Sequence, residues 1–193
     1  MEIALTVGGS ILLGSLVGYK FGASKKKESY SIHYFLSRKT SPQQEIVDTI
    51  QSAEHTVDVA IFLFTNKNIV AELCQAAKRG VKVRVFTDRK QLKNSQVQYD
   101  NMKEMAQYGV KIRTNTHDGT MHIKMLIADQ QKALVGSYNF TNNAEKKNDE
   151  ILLSINNEKQ AVKLTNIFQD LWEDGINYEY PQDEKHVSRR LSA

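Results

Sequence analysis

The sequence predicts an α/β fold, a mostly parallel or mixed central sheet flanked by helices. Three observations predict it. Short β-branched runs such as VKVRVFTD (81–88) alternate with segments of helical period. The helical segments carry recognisable start and stop residues. Finally, 193 residues with 40% hydrophobic and 25% charged side chains suffice for one globular unit with its own core.

Taken in order, Ser41 and Pro42 read as an N-cap followed by a first-turn proline, opening a helix that runs to about Glu54. TVDVAIFLF (56–64) begins in alternation and ends as a continuous apolar run, as a strand buried on both faces does. Phe62 and Phe64 read as core. A helix from about Asn68 to Arg79 stops at Gly80, and VKVRVFTD is the second strand. A helix from about Ser95 to Tyr108 ends at Gly109, and VKIRT follows as a short strand. HIKMLIAD, KALVGS and EILLSI supply three more strands, and the last helix runs from about Asn157 to Trp172. Strands interleaved with helices favour a layered, largely parallel sheet.

The ends read differently. From Ile3 to Tyr19 there is no charged residue, and Lys20, Lys25, Lys26 and Lys27 close the apolar run. Residues 1–23 are therefore expected to be a membrane anchor helix, short but extended by a snorkelling Lys20. The lysine cluster predicts that the following chain lies on the cytoplasmic face. A cleaved signal peptide fits less well, because Glu2, and no positive charge, precedes the apolar run. Ser10, Gly14, Gly18 and Gly22 form a small-residue stripe that favours close helix pairing, although glycine is common in membrane helices generally. Residues 24–40 read as a linker, 41–175 as the functional domain, and 176–193 as a loose charged tail. The net charge of +4 mildly favours a polyanionic partner. With Cys74 as the only cysteine, an intrachain disulfide is excluded and a cysteine-based zinc site lacks ligands.

MHIKMLIAD (121–129) carries the chemistry. His122 and Lys124 are two apart, so on a strand they share a face; Asp129 is five beyond Lys124, faces the other side, and reads as structural support. GSYN, Gly136 to Asn139, closes the next strand with Ser137 and Asn139 again two apart. An imidazole, an ammonium, a hydroxyl and an amide together make a phosphate cradle: donors neutralise the oxygens while the imidazole attacks or donates a proton. Each residue alone has an ordinary reading, as a structural histidine, a snorkelling lysine or a turn. The joint spacing H-x-K-x4-D-x6-G-S-x-N has a chance of roughly one in several hundred thousand in a chain this long.

That spacing resembles the signature of the phospholipase D superfamily, in its single-motif branch: the bacterial endonuclease type and the mitochondrial cardiolipin hydrolase (Zucchini) type. The similarity covers about residues 41 to 175, including VKVRVFTD and NFTNNAEKKNDE. The resemblance implies that His122 is the nucleophile forming a phosphohistidine, that Lys124 and Asn139 bind phosphate oxygens with Ser137 assisting, and that neither metal nor cofactor is needed. It also implies an acidic residue that orients the His122 ring, with Glu150 the best match and Asp149 the alternative. Animal Zucchini-type members carry a Cys/His zinc module ahead of the domain; here residues 28 to 41 hold His33 but no cysteine, which favours the bacterial type.

One histidine cannot stand on both sides of a phosphorus undergoing in-line displacement. His33, His55, His117 and His186 lack a lysine at the motif spacing, and no internal repeat supplies a second set, although His117 sits in a loop just ahead of His122. The chemistry therefore predicts a homodimer sharing one active site, and the resemblance implies the same. The substrate is expected to be nucleic acid, single strands of DNA or RNA favoured, because Lys90, Lys93, Lys111, Arg113, Lys146 and Lys147 fall on expected loops and strand ends around the motif. The alternatives are a phospholipid substrate, which the anchor favours, and a catalytically inactive, membrane-tethered nucleic-acid-binding module.

Overall fold

The computed structural model describes residues 30–178. The expected anchor helix and its stripe, most of the tail, and His186 lie outside the described residues. No helix among the described residues is long and apolar enough to cross a membrane.

The chain runs β1 (Ser31–Leu36), α1 (Pro42–Ser52), β2 (Thr56–Ile61), α2 (Lys67–Lys78), β3 (Lys82–Thr87), α3 (Arg89–Asn94), α4 (Gln96–Gln107), β4 (Lys111–Thr114), β5 (Lys124–Ala128), β6 (Lys132–Gly136), α5 (Asn142–Lys146), β7 (Ile151–Asn156), α6 (Glu158–Asp174) and β8 (Ile176–Asn177). The strands form an eight-stranded sheet in the order β1-β7-β6-β5-β2-β3-β4-β8. Alternation along the strands sends side chains to two cores. Val57, Val59, Val83, Val85, Leu126 and Leu134 pack with apolar residues of α1, α2 and α4 on one face. Ala60, Phe86, Met125, Ile127 and Ala133 pack with Ala161, Phe168 and Trp172 of α6 on the other.

The sheet is mixed, one of the two expected arrangements, and not the mostly parallel one that the interleaved helices favoured. Only β2–β3 and β3–β4 are parallel; β5 is antiparallel to β2, and β5, β6 and β7 are antiparallel in turn. Helices long enough for a parallel return lead into β2, β3 and β4, whereas nothing longer than the five-residue α5 separates β4 from β5, β5 from β6 or β6 from β7. Between β5 and β6 stands a tight turn in which Asp129 (φ 53) and Gln130 (φ 56) are both left-handed, the type I′ pattern that a hairpin prefers.

Several elements escape the sequence reading. The stretch read as a linker contains β1, an edge strand paired antiparallel to β7 from Ser31↔Asn156 to Leu36↔Ile151. The tail read as loose begins with β8, whose Ile176 pairs with Thr114. Helices α3 and α5 are short, each started by a side-chain cap: Asp88 accepts from Gln91 N and Thr141 from Ala144 N. Strand β2 ends at Ile61, short of the expected Phe64. Beyond it the backbone groups are taken by other partners: Phe62 O by Gln98 Nε2 (3.1 Å), Leu63 N by Asn139 Oδ1 (3.1 Å) and Phe64 N by Gln98 Oε1 (3.0 Å).

Candidate active site

The motif residues gather at the edge of the sheet where β2 ends and β5 begins. Asp88, buried at the end of β3, accepts from the backbone N–H of Met121 at 2.9 Å and so fixes where the chain enters β5. Asn115 closes the preceding loop by donating to the carbonyls of His117 and Gly119. His122 then stands exposed, just ahead of the strand proper, while Lys124 opens β5 almost fully buried. The expected shared face is realised: Lys124 Nζ lies 3.0 Å from His122 Nδ1 and donates to His122 O at 2.8 Å. An ammonium has donors only, so a charged Lys124 makes Nδ1 the acceptor and leaves the proton of a neutral ring on Nε2. Burial pulls the Lys124 ammonium below the usual lysine range, and the Glu150 charge offsets part of that.

Ser137 and Asn139 reach this edge on the chain leaving β6. Gly136 makes their approach possible, because a Cβ there would lie 2.0 Å from Ile151 O. With the glycine, Ser137 N donates to Ile151 O at 3.0 Å. Ser137 Oγ then donates to Glu150 Oε2 and accepts from Ile151 N. Asn139 Oδ1 is held by Leu63 N, which leaves the amide's NH2 as the end with hydrogens to offer a ligand.

The expected set is therefore brought together through two chains of interaction. One runs from His122 to the Phe62 ring, whose centroid is 4.7 Å away, then through Leu63 to Asn139. In the other, Ser137 is hydrogen-bonded to Glu150, whose charge in turn acts on the Lys124 ammonium without touching it through any hydrogen bond or ion pair among the described residues. Glu150 differs from its expected role: its hydrogen bonds go to Ser137 and Asn148, and among the described residues none joins it to His122. The β6–β7 pairing holds the Glu150 carboxylate over the serine. Asp149, the alternative, is exposed and pairs with Arg38. Phe62 also differs from its core reading, being only half-buried beside His122, whereas Phe64 is fully buried.

Asp129 stands away from His122, in the turn after β5. Its carboxylate accepts from three backbone N–H groups, Glu54 (2.9 Å), His55 (2.8 Å) and Thr56 (2.7 Å), stitching the α1–β2 loop to the hairpin. Partial burial alone would raise its pKa; those three donors, with the nearby His55 charge, hold it below the usual carboxylate range. A depressed carboxyl adds stability that is fully present above its unfolded pKa of about 3.9 and is lost as pH falls through the folded value. Asp129→Asn keeps one acceptor oxygen but aims NH2 at a backbone N–H, so it is expected to cost about 1–2 kcal/mol at neutral pH. Thermal melts from pH 7 down to pH 2 check this: the gap between the two proteins should narrow below about pH 4.

The other histidines stay apart. His117 is exposed in the loop before the site, with its carbonyl tied to Arg89 and Asn115, while His33 lies on β1 and His55 beside Asp129. Of the expected cations, Lys90 donates to Asp118 O in the loop leading to His122, and Lys146 and Lys147 end α5 just after GSYN. Lys111 and Arg113 are corrected: they lie on β4, separated from β5 by β2 and β3. Arg113 is engaged by Trp172 O, Asn177 Oδ1 and the Trp172 ring.

Sequence reasoning also missed three supporting side chains. Glu145 ties GSYN to the start of α1 by accepting from Tyr138 OH, Ser41 Oγ and Gln43 N. Desolvation, with that carboxylate, drives the Tyr138 hydroxyl far above its usual range, so it stays a donor. Gln98, fully buried, clamps the chain after β2, and Asp88 holds Met121. A carboxylate closing the apolar run VKVRVFTD was the one signal available, since a buried charge needs partners.

A family model described as "Cardiolipin synthase, PLD-like domain" matches residues 46–172. Phospholipase D of Rickettsia prowazekii is 34% identical over 116 residues, covering 60% of this chain and 55% of that protein. The mitochondrial cardiolipin hydrolase of Chlamydomonas reinhardtii is 27% identical over 141 residues, 73% of this chain and 62% of that one. This chain thus spans a little over half the length of those relatives. Among solved structures, the phospholipase D family member Nuc from Salmonella typhimurium superposes with a TM-score of 0.74 at 29% identity, over 79% of this chain and 100% of its own.

Proposed function

Since this chain belongs to the phospholipase D-like family, we propose that it is a metal-independent phosphodiesterase acting through a phosphohistidine on His122, and more specifically an endonuclease on single-stranded DNA or RNA. The observation that carries the reaction is the Lys124 ammonium seated 3.0 Å from the imidazole, with Ser137 and Asn139 held on the same edge. These donors supply charge where phosphoryl oxygens accumulate it, in a partly desolvated position where such contacts count most.

In the first step an imidazole nitrogen of His122 bonds to phosphorus as the P–O bond to the leaving group breaks. A proton passes from the partner subunit's His122 to the leaving oxygen. In the second, water attacks phosphorus, the P–N bond breaks, and the water's proton returns to the partner's His122. The two copies differ by one proton. The acid is the imidazolium, protonated on both nitrogens, which gives up its Nε2 proton; the nucleophilic copy is neutral, with the ring proton on Nδ1 and Nε2 free to attack, and in both copies Lys124 turns from Nδ1 to the phosphate oxygens. Lys90, Lys146 and Lys147 suit a sugar-phosphate strand.

The assay offers the purified protein, in EDTA, single-stranded DNA, RNA and cardiolipin vesicles. Nucleic acid is expected to be cut; lipid turnover without nucleic acid cleavage reverses the substrate assignment. One observation favours that lipid reading: Tyr34, Leu36 and Ile151 are 64%, 45% and 39% exposed on paired strands next to Ser137, an apolar rim that an acyl surface would cover.

The shared site makes its own prediction. When the native chain is co-refolded one-to-one with His122→Asn, only native homodimers hold two imidazoles, so activity per total chain should drop to about one quarter of native. A value of about one half means that each chain works alone.

A further inference from the structure

The Phe62 ring does two things at once. Its centroid lies 4.7 Å from that of His122, with the planes tilted 56°. Lys124 Nζ stands 5.3 Å from the same centroid, within cation–π range. One aromatic side chain thus contacts both members of the pair. The ring does not float: Phe62 O accepts from Gln98 Nε2, whose side chain is fully buried and also donates to Thr87 Oγ1 at 2.9 Å. The next residue, Leu63, donates to Asn139. Phe62 is therefore braced from the core on one side and from the GSYN segment on the other, while its ring meets His122 and Lys124.

An exposed imidazole on irregular chain has few restraints of its own. Its hydrogen-bonding contact is Lys124, a flexible side chain that must also serve phosphate. A ring that pivots by even one ångström loses alignment with phosphorus, and such misplacement costs on the order of 100-fold in rate. We propose that Phe62 is a positioning residue for the reaction, holding the His122 imidazole and the Lys124 ammonium at a fixed mutual angle. The inference rests on the phosphodiesterase reading above and names a residue that the motif itself does not contain.

The test compares native protein, Phe62→Leu and Phe62→Tyr in two measurements. With bis(p-nitrophenyl) phosphate as substrate, Phe62→Leu should lose about 10- to 100-fold in kcat with KM within about 3-fold, and Phe62→Tyr, which keeps the ring, should return to within about 3-fold of native. A purely structural role would lower the melting temperature and leave that split and the rescue unmoved. The proposal is overturned if Phe62→Leu keeps kcat within about 2-fold of native, or if Phe62→Tyr is as impaired as Phe62→Leu. In the second measurement, proton NMR follows the His122 imidazole, whose C–H resonances should move when the neighbouring ring current is removed in Phe62→Leu and hold in Phe62→Tyr. Native protein that leaves the diester intact overturns the reaction assignment, whereas His122 resonances unmoved by Phe62→Leu overturn the positioning role. Should the leucine variant fail to fold, Phe62→Met takes its place.

Discussion

His122→Asn removes turnover, by roughly 10^4-fold or more, and leaves the fold intact. The size follows from the proposed mechanism: asparagine fits beside Lys124 but has no nitrogen able to form a phosphoramidate bond, and in the proposed dimer the substitution deletes nucleophile and proton donor together. The intact fold follows from position. His122 is exposed, and its backbone carbonyl still accepts from Lys124 Nζ after the substitution. With that acceptor kept for the buried Lys124 ammonium, removing the exposed side chain costs within about 0.5 kcal/mol. Steady-state kinetics on a nucleic acid substrate, with a thermal melt of the same preparations, checks both halves. Unchanged cleavage at an unchanged melting temperature means that the activity comes from elsewhere and revives the reading of the chain as an inactive nucleic-acid-binding module.

Gly136→Ala should damage stability and activity together. The added methyl meets Ile151 O at 2.0 Å, a backbone atom inside a sheet, so relief requires β6 and β7 to part. Overpacking of that kind costs about 3 kcal/mol, a fall in Tm of roughly 6–12 °C for a domain of this size. The hydrogen bonds that lapse first are Ser137 N to Ile151 O and Ile151 N to Ser137 Oγ, which hold the serine under Glu150. Turnover should therefore fall by about 100-fold or more even well below the new Tm. Calorimetry and kinetics at 15 °C separate the two effects. A variant that melts at the native temperature would mean that the strands have room the structure does not show.

How far the chain could be read in advance depended on how local each interaction is. The α1 start was legible because a cap and its target are three residues apart: Ser41 Oγ accepts from Gln44 N at 3.1 Å. VKVRVFTD was legible because one face of β3 meets a continuous core, and alternation records that directly. Strand β1 was not, since SIHYFL sits at the sheet edge with Tyr34 and Leu36 exposed, and its partner is more than a hundred residues away. The choice between a mostly parallel and a mixed sheet stayed open for a related reason. A run of strand and helix patterns suggests crossovers, while the direction of return is set by a turn whose left-handed residues, Asp129 and Gln130, are not the usual glycine or asparagine.

The sequence by itself determined that His122 and Lys124 meet. Two residues of near-extended chain bring His122 and Lys124 to a common side whatever surrounds them, and the spacing to Ser137 and Asn139 spans one hairpin, so both ends of the set are dictated by local geometry. Only the tertiary structure decided what holds that set in place. Phe62 against His122, Gln98 behind Phe62, Glu145 under Tyr138, and Glu150 on Ser137 rather than on the imidazole are contacts between elements distant in the chain or between side chains whose direction depends on packing. Such contacts leave no periodic trace in a sequence, because they depend on the order in which strands lie side by side.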